Sequence, residues 1–214
     1  ILLDAEETWI QDPIDRLAIE LMKEYNKEKV VVYNTYQLYR NDRLHFLQLS
    51  HRLAKEGGFL LGAKLVRGAY MEKERERALK LGYTSPIHLN KEATDKDFDA
   101  AATYCISNKD TISLLLATHN EASNIAIATA MTNLSFEKND QHVHFSQLFG
   151  MGDHITFNMA VQGYNVSKYL PFGPINEVIP YLMRRAEENT SVNGQTNKEL
   201  VLLKTELARR KSSK

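Results

Sequence analysis

The chain has 214 residues, and its 27 Lys and Arg balance 27 Asp and Glu, so no overall field draws it to nucleic acid or an anionic surface. Its 43% hydrophobic residues suffice for a core, and the lone Cys105 excludes an internal disulfide and a cysteine-based zinc cage. No apolar run is long enough to cross a bilayer and no signal peptide is recognisable, which leaves room for a peripheral membrane contact.

The chain opens without Met on ILLDA (1–5), which reads as a strand already under way and suggests a fragment that lacks an N-terminal part. Segment 7–27, with Ile10, Leu17, Ile19, Leu21 and Met22, has helical spacing. VVVYNTY (30–36) is the next strand, and 42–56, with Leu44, Phe46, Leu47, Leu49 and Leu53, the next helix. LGAKLVRGAY (61–70), TISLLLATHN (111–120), HVHFSQLFG (142–150) and YNVSKYL (164–170) are further strands. Helical segments 71–81, 91–106, 120–133 and 155–163 lie between them. In 174–189, Pro174 suits a first helical turn, and Ile175, Val178, Ile179, Leu182 and Ala186 form an apolar stripe. A last amphipathic helix spans about 195–210, and RRKSSK (209–214) reads as a frayed tail. Several of the strands are apolar on both faces, as in parallel sheets covered by helices, and six βα units in series predict an α/β fold. Polar residues gather at the strand ends: Asp4, Asn34, Lys64, Arg67, Thr118, His119, Gln147 and Tyr169. Barrel enzymes build their sites on that rim, so a barrel is preferred to an open sheet. A full barrel has eight strands and six are counted, so the chain is expected to be one incomplete domain over 1–214.

Each candidate has an ordinary reading beside the functional one. Tyr181, Arg184, Arg185 and Glu188 fall at i, i+3, i+4 and i+7, a second stripe distinct from the apolar one. A double arginine on a helix is usually solvated; two guanidinium forks braced by an acid also suit a carboxylate or phosphate. Asp4 is either a helix cap before Glu6 and Glu7 or an anchor for a cation. Lys64 and Arg67 either snorkel from a strand end or face a large anion, with Gly68 admitting close backbone approach. Thr118, His119 and Asn120 suit a helix N-cap, a role compatible with phosphate binding. His142 and His144, on one strand face, are half a metal site, the basis of an alternative reading as a metal-dependent barrel hydrolase. A non-catalytic barrel remnant is the other alternative. GxGxxG after a strand, GxxxxGK[ST] and GxSxG are all absent, so a dinucleotide here is not held by a Rossmann loop.

Taken together, DAEE (4–7), YNTYQ (33–37), KLVRGAYMEKER (64–75), LATHNEAS (116–123), FSQLFGMGD (145–153) and YLPFGPINEVIPYLMRRAEENTSV (169–192) resemble the proline dehydrogenase family, from Asp4 to about Val192. The resemblance implies a distorted (βα)8 barrel, of which this chain would supply strands 3–8 and a C-terminal helix. It implies FAD-dependent oxidation of L-proline to Δ1-pyrroline-5-carboxylate, by hydride transfer from proline C5 to flavin N5, with electrons passing to a membrane quinone. By resemblance Arg184 and Arg185 clamp the proline carboxylate, Glu188 steadies them, and Asp4 lies near the amine. Tyr169, Tyr181, Tyr70 and Leu148 shape the space around the ring. Ala5, Asn34, Lys64, Arg67, Gly68, Ala69, Met71, Thr118, His119 and Asn120 adjoin FAD, with Arg67 suited to its pyrophosphate and Asn34 beside the flavin ring. The family implies no metal. Three departures stand out: Lys64 where many bacterial members have Arg near N5, Met71 for an aromatic, and no counterpart of the first two strands, which carry a substrate-binding lysine and a gating acid. Tyr169 favours proline over hydroxyproline, because hydroxyproline-using relatives tend to have a smaller residue there. The expected location is the cytoplasmic side of a bacterial inner membrane, or alternatively the mitochondrial matrix.

Overall fold

The computed structural model describes residues 1–191 and 195–212, and side-chain surroundings for 1–183, 201 and 203–211. It contains two compact units, Ile1–Lys168 and Tyr169–Lys214.

The first unit holds the sheet. Strands β1 (Leu2–Leu3), β2 (Tyr33–Gln37), β3 (Leu61–Val66), β4 (Ile112–Ala117), β5 (Val143–Leu148) and β6 (Val166–Tyr169) lie side by side in chain order. Parallel pairing sets Asn34 beside Ala63, Ala63 beside Leu114 and Leu114 beside Val143, while Thr35, Lys64, Leu115 and His144 form the adjacent row. Six parallel strands with helices make a half-barrel; the alternation of apolar runs predicts the α/β layout and the polar strand ends the barrel. Helices α1 (Thr8–Tyr25), α2 (Arg43–Gly57), α3 (Met71–Leu81), α4 (Lys91–Ser107), α5 (Glu121–Asn133) and α6 (Asp153–Val161) connect the strands.

Because side chains alternate across a strand, the two rows face opposite ways. Ala63, Leu65, Leu114, Leu116, Val143 and Phe145 point to the helices, where they meet Met22, Leu47, Phe98, Ala102 and Ile127 in one buried cluster. The other row forms the inner face. Within the helical layer His51 is held at both ring nitrogens, by the Tyr104 hydroxyl at 2.8 Å and the Thr111 hydroxyl at 2.7 Å. Burial, helped by Lys55, pushes its pKa down to about 4.

The element limits follow from local chemistry. The run expected to start at Val30 enters the sheet only at Tyr33, because buried Asn26 takes its first residues. The Asn26 amide oxygen accepts from Val31 N and Val32 N, and its nitrogen donates to Val32 O and Leu60 O. Helix α2 ends on Gly58 at φ 63°, a left-handed stop suited to glycine. Asn90 and Asn120 cap α4 and α5 by accepting from Ala93 N and Ser123 N.

In the second unit α7 (Ile175–Ser191) begins just after Pro174, and α8 (Gln195–Ser212) follows. Ile175, Ile179 and Leu182, expected to face a core, are exposed. The segment expected to fray from 209 stays helical to Ser212, where Glu206 accepts from Arg209 and Arg210 one turn on.

Candidate active site

The polar end of the inner face is built from the loop after β1 and the segment around β3. Lys64 forms an ion pair with Asp4, so two residues sixty positions apart meet at the strand ends. Asp4 lies before α1 without capping it: the cap position is Glu7, which makes no side-chain cap bond. Beside this pair the Thr35 hydroxyl donates to Leu3 O at 2.7 Å, and buried Gln37 donates to Glu6 O at 2.7 Å. Glu6 is gripped on all sides: its N–H donates to Gln11 at 2.8 Å and its carboxylate accepts from the Tyr70 hydroxyl at 2.5 Å. Ala5 is half-buried between them, whereas Ala69 and Met71 are exposed.

Arg67 is fixed by three partners. Its Nε donates to Asp95 at 2.6 Å, one terminal nitrogen to the Thr118 hydroxyl at 2.8 Å and the other to Ser123 Oγ at 3.1 Å. Its guanidinium carbon sits 4.3 Å over the Phe98 ring. Burial pushes the Asp95 carboxyl up, but hydrogen bonds from Lys91 and Arg67 outweigh it and hold its pKa below the ordinary value. Gly68, at φ 131°, leaves room for Tyr39: a Cβ there would stand 1.8 Å from the ring. Thr118 Oγ1 also accepts from Asn120 N at 3.1 Å, so Thr118 and Asn120 together shape the start of α5.

His119 Nε2 accepts from Leu148 N at 3.4 Å, which ties the end of β4 to the end of β5. The loop after Leu148 is stapled by Lys168, which donates to Met151 O at 2.6 Å and Leu148 O at 3.4 Å and pairs with Asp153 at 2.7 Å.

Asn34 is a correction. It was expected beside the flavin ring, yet it lies on the helix-facing side, fully buried, and donates to Asp15 Oδ1 on α1 at 2.8 Å. The parallel register aligns Thr35, not Asn34, with Lys64. Asp15 also accepts from Gln11 at 2.9 Å and from Arg43 at 2.7 Å, so Asn34 belongs to a buried polar network behind the sheet.

His142 and His144 share the inner face, but His142 Nδ1 is hydrogen-bonded with Ser113 Oγ at 2.9 Å. Among the described residues no group of three His, Cys, Asp or Glu is placed to hold a metal ion.

In the second unit the Tyr169 and Tyr181 rings meet at 5.7 Å between centroids, tilted by 47°. The side chains of Arg184, Arg185 and Glu188 lie outside the described residues; their backbone continues α7.

Sequence reasoning missed Thr35, Gln37, Glu6, Glu74 and Lys168. Thr35 and Gln37 take the parity of Lys64 only through the register with β3, which their own run does not encode. The others depend on contacts between distant segments, which periodicity does not encode.

The proline dehydrogenase family model matches residues 1–198. Proline dehydrogenase 1, mitochondrial, of Caenorhabditis elegans is 42% identical over 218 residues, covering 100% of this chain and 35% of the relative. Hydroxyproline dehydrogenase of Xenopus laevis is 38% identical over 214 residues, covering 98% of this chain and 46% of the relative. The chain thus spans less than half the length of either relative. Among solved structures, proline utilization A from Bdellovibrio bacteriovorus inactivated by N-propargylglycine superposes with a TM-score of 0.83 at 27% identity, over 90% of this chain and 20% of that one. With a family match along most of its length and a half-barrel like that of its structural neighbour, the chain belongs to the proline dehydrogenase family.

Proposed function

We propose that this chain is the catalytic barrel part of a flavin-dependent enzyme that oxidises L-proline to Δ1-pyrroline-5-carboxylate. The observation that carries the reading is the Asp4–Lys64 pair on the inner face, with Arg67 anchored just past the end of the same strand β3, in a chain of this family. Proline is a zwitterion, so its site needs an anion for the amine and cations for the carboxylate. Asp4 supplies the first; Arg184 and Arg185, side by side on α7, supply the second. Holding the carboxylate at two points orients C5, and such positioning supplies much of the catalysis. Tyr169, Tyr181, Tyr70 and Leu148 form the apolar wall around the ring.

The donor set at the strand ends fits FAD. Arg67 keeps N–H groups beyond its three protein bonds while those bonds fix its fork, which suits a pyrophosphate. Lys64, Ala5, Gly68, Ala69, Met71, Thr118, His119 and Asn120 line the same end of the sheet. Flavin, when bound, supplies the two-electron acceptor. Electrons leave to a quinone through peripheral contact with an inner membrane; no described helix is long and apolar enough to cross one. The mitochondrial name of the C. elegans relative favours the matrix side over the bacterial alternative. A hydroxyproline-using relative makes substrate choice a real question, and the bulk of Tyr169 against Tyr181 favours proline.

The test is the visible spectrum of the protein at its natural full length. It should be yellow and should bleach with proline; colourless protein, or flavin indifferent to proline, defeats the reading. Arg184→Met or Arg185→Met should raise the KM for proline by about a hundredfold, about the 2.7 kcal/mol expected of a charge-assisted contact, with flavin content unchanged. Steady-state kinetics checks this, and unchanged proline kinetics in both variants removes the clamp.

A further inference from the structure

Glu74 is a fully buried carboxylate on α3. Both of its oxygens are aimed at one residue: Oε1 accepts from Thr8 N at 2.6 Å and Oε2 from the Thr8 hydroxyl at 2.8 Å. Thr8 is the first residue of α1, whose own cap position, Glu7, makes no side-chain cap bond. The N–H groups at a helix start need acceptors, and an anion there also meets the positive end of the helix dipole. Helix α1 is therefore capped from another helix, 66 residues away in the chain.

The cap is one of a series. Lys64 holds Asp4, Tyr70 holds Glu6, Lys73 holds Glu7 and Glu74 holds Thr8. Four residues of the β3–α3 segment thus grip the loop after β1 in order. Asp4 and Glu7 are each held by a lysine; Glu74 is the fully buried member of the row and makes two directed bonds, to backbone and hydroxyl together. Buried hydrogen bonds to a charged group are the strong ones, so this end fixes the register of the loop.

We propose that Glu74 is a positioning residue: by pinning Thr8 it holds the loop so that Asp4 meets the amine of proline. This rests on the function proposed above. It predicts a split that a general loss of fold would not give. Asp4 serves the amine, whereas the carboxylate is served from α7, so displacing the loop should weaken only ligands that carry the ring nitrogen.

The experiment uses the flavin-loaded protein at natural full length with proline and with cyclopentanecarboxylate, the same skeleton without nitrogen. Glu74→Ala should raise the KM for proline by about tenfold or more and leave the Kd of cyclopentanecarboxylate, read from the flavin spectrum, within about twofold. Glu74→Gln should stay within about twofold of the parent for both, since its amide can accept from Thr8 N and donate to the hydroxyl. Equal weakening of both ligands in Glu74→Ala, or an unchanged KM for proline, overturns the proposal. If Glu74→Ala does not fold, Thr8→Val, which removes only the hydroxyl, should show the same split at smaller amplitude, and its absence overturns the proposal too. A parent protein that does not oxidise proline defeats the proposed function instead, so the two failures are told apart.

Discussion

On the helix-facing side of the sheet, Ala63, Leu65, Leu114 and Leu116 are at most 1% exposed, and the polar Asn34 among them is sealed into a network with Asp15, Gln11 and Arg43. On the inner side, alternate residues of the same strands place Lys64 against a half-exposed Asp4. Both faces carry an ion pair, yet the surroundings give the pairs different work. Arg43 and Asp15 are each 6% exposed at the side chain, where an unpaired charge is costly. Asp4 is 50% exposed, where solvent screens the pair and leaves its carboxylate open to a ligand. The contrast teaches that burial, more than residue type, separates a structural cluster from a candidate site.

The sharpest way to break this contrast is Arg43→Met. It strands the Asp15 carboxylate behind the sheet and should cost about 3–5 kcal/mol, read as a lower denaturant midpoint. A loss below about 1 kcal/mol would make the helix-facing pair no different from a surface one.

His51 probes the same layer by pH. Its folded pKa is lowered to about 4 from 6.5, so the unfolded chain takes up a proton before the native state does. Its contribution is complete above pH 6.5 and is lost as pH falls from there to about 4. The full effect is about 3 kcal/mol. Thermal melts between pH 7 and pH 4.5 should show a steeper acid loss in the parent than in His51→Gln; parallel curves would refute it.

The smallest effects come from pairing one residue of each face. Asn34→Ala should cost about 1–3 kcal/mol by leaving Asp15 short of a donor, with flavin content unchanged. Lys64→Met should cost less than about 1 kcal/mol but abolish most proline turnover. If Asn34→Ala instead released flavin at full stability, the assignment of Asn34 to the helix-facing network would fail.

Much of the architecture is legible in the chain. The strands and helices fall within a few residues of the apolar runs and helical stripes, because strands buried on both faces and helices with one apolar side leave distinct periods. Which strand residues face inward is not legible, since runs apolar on both sides carry no phase. Asn34 was set beside the flavin ring by resemblance alone, and its own run could not check that: a slip of one residue exchanges the faces, and the register comes from pairing with β3. Nor could the entry into β2 be read, because VVV favours a strand and only the buried amide of Asn26 holds Val31 and Val32 out of it. The meeting of Asp4 with Lys64 follows from adjacent strand ends, so it was half visible as a rim; the cap of α1 by Glu74 has no local signature at all.

The order of the sheet bears on how the molecule is made. Every strand lies next to its neighbour in sequence, from β1 to β6. The connections differ in length, but closure entropy grows only slowly with length, so no single pairing is a disproportionate obstacle. A chain emerging from the ribosome can therefore add one βα unit at a time to a growing edge, without waiting for a distant strand. Glu74 is made more than sixty residues after Thr8, so α1 gains its cap only when the third strand and its helix have arrived. The rim loop would set late, after the sheet that carries it.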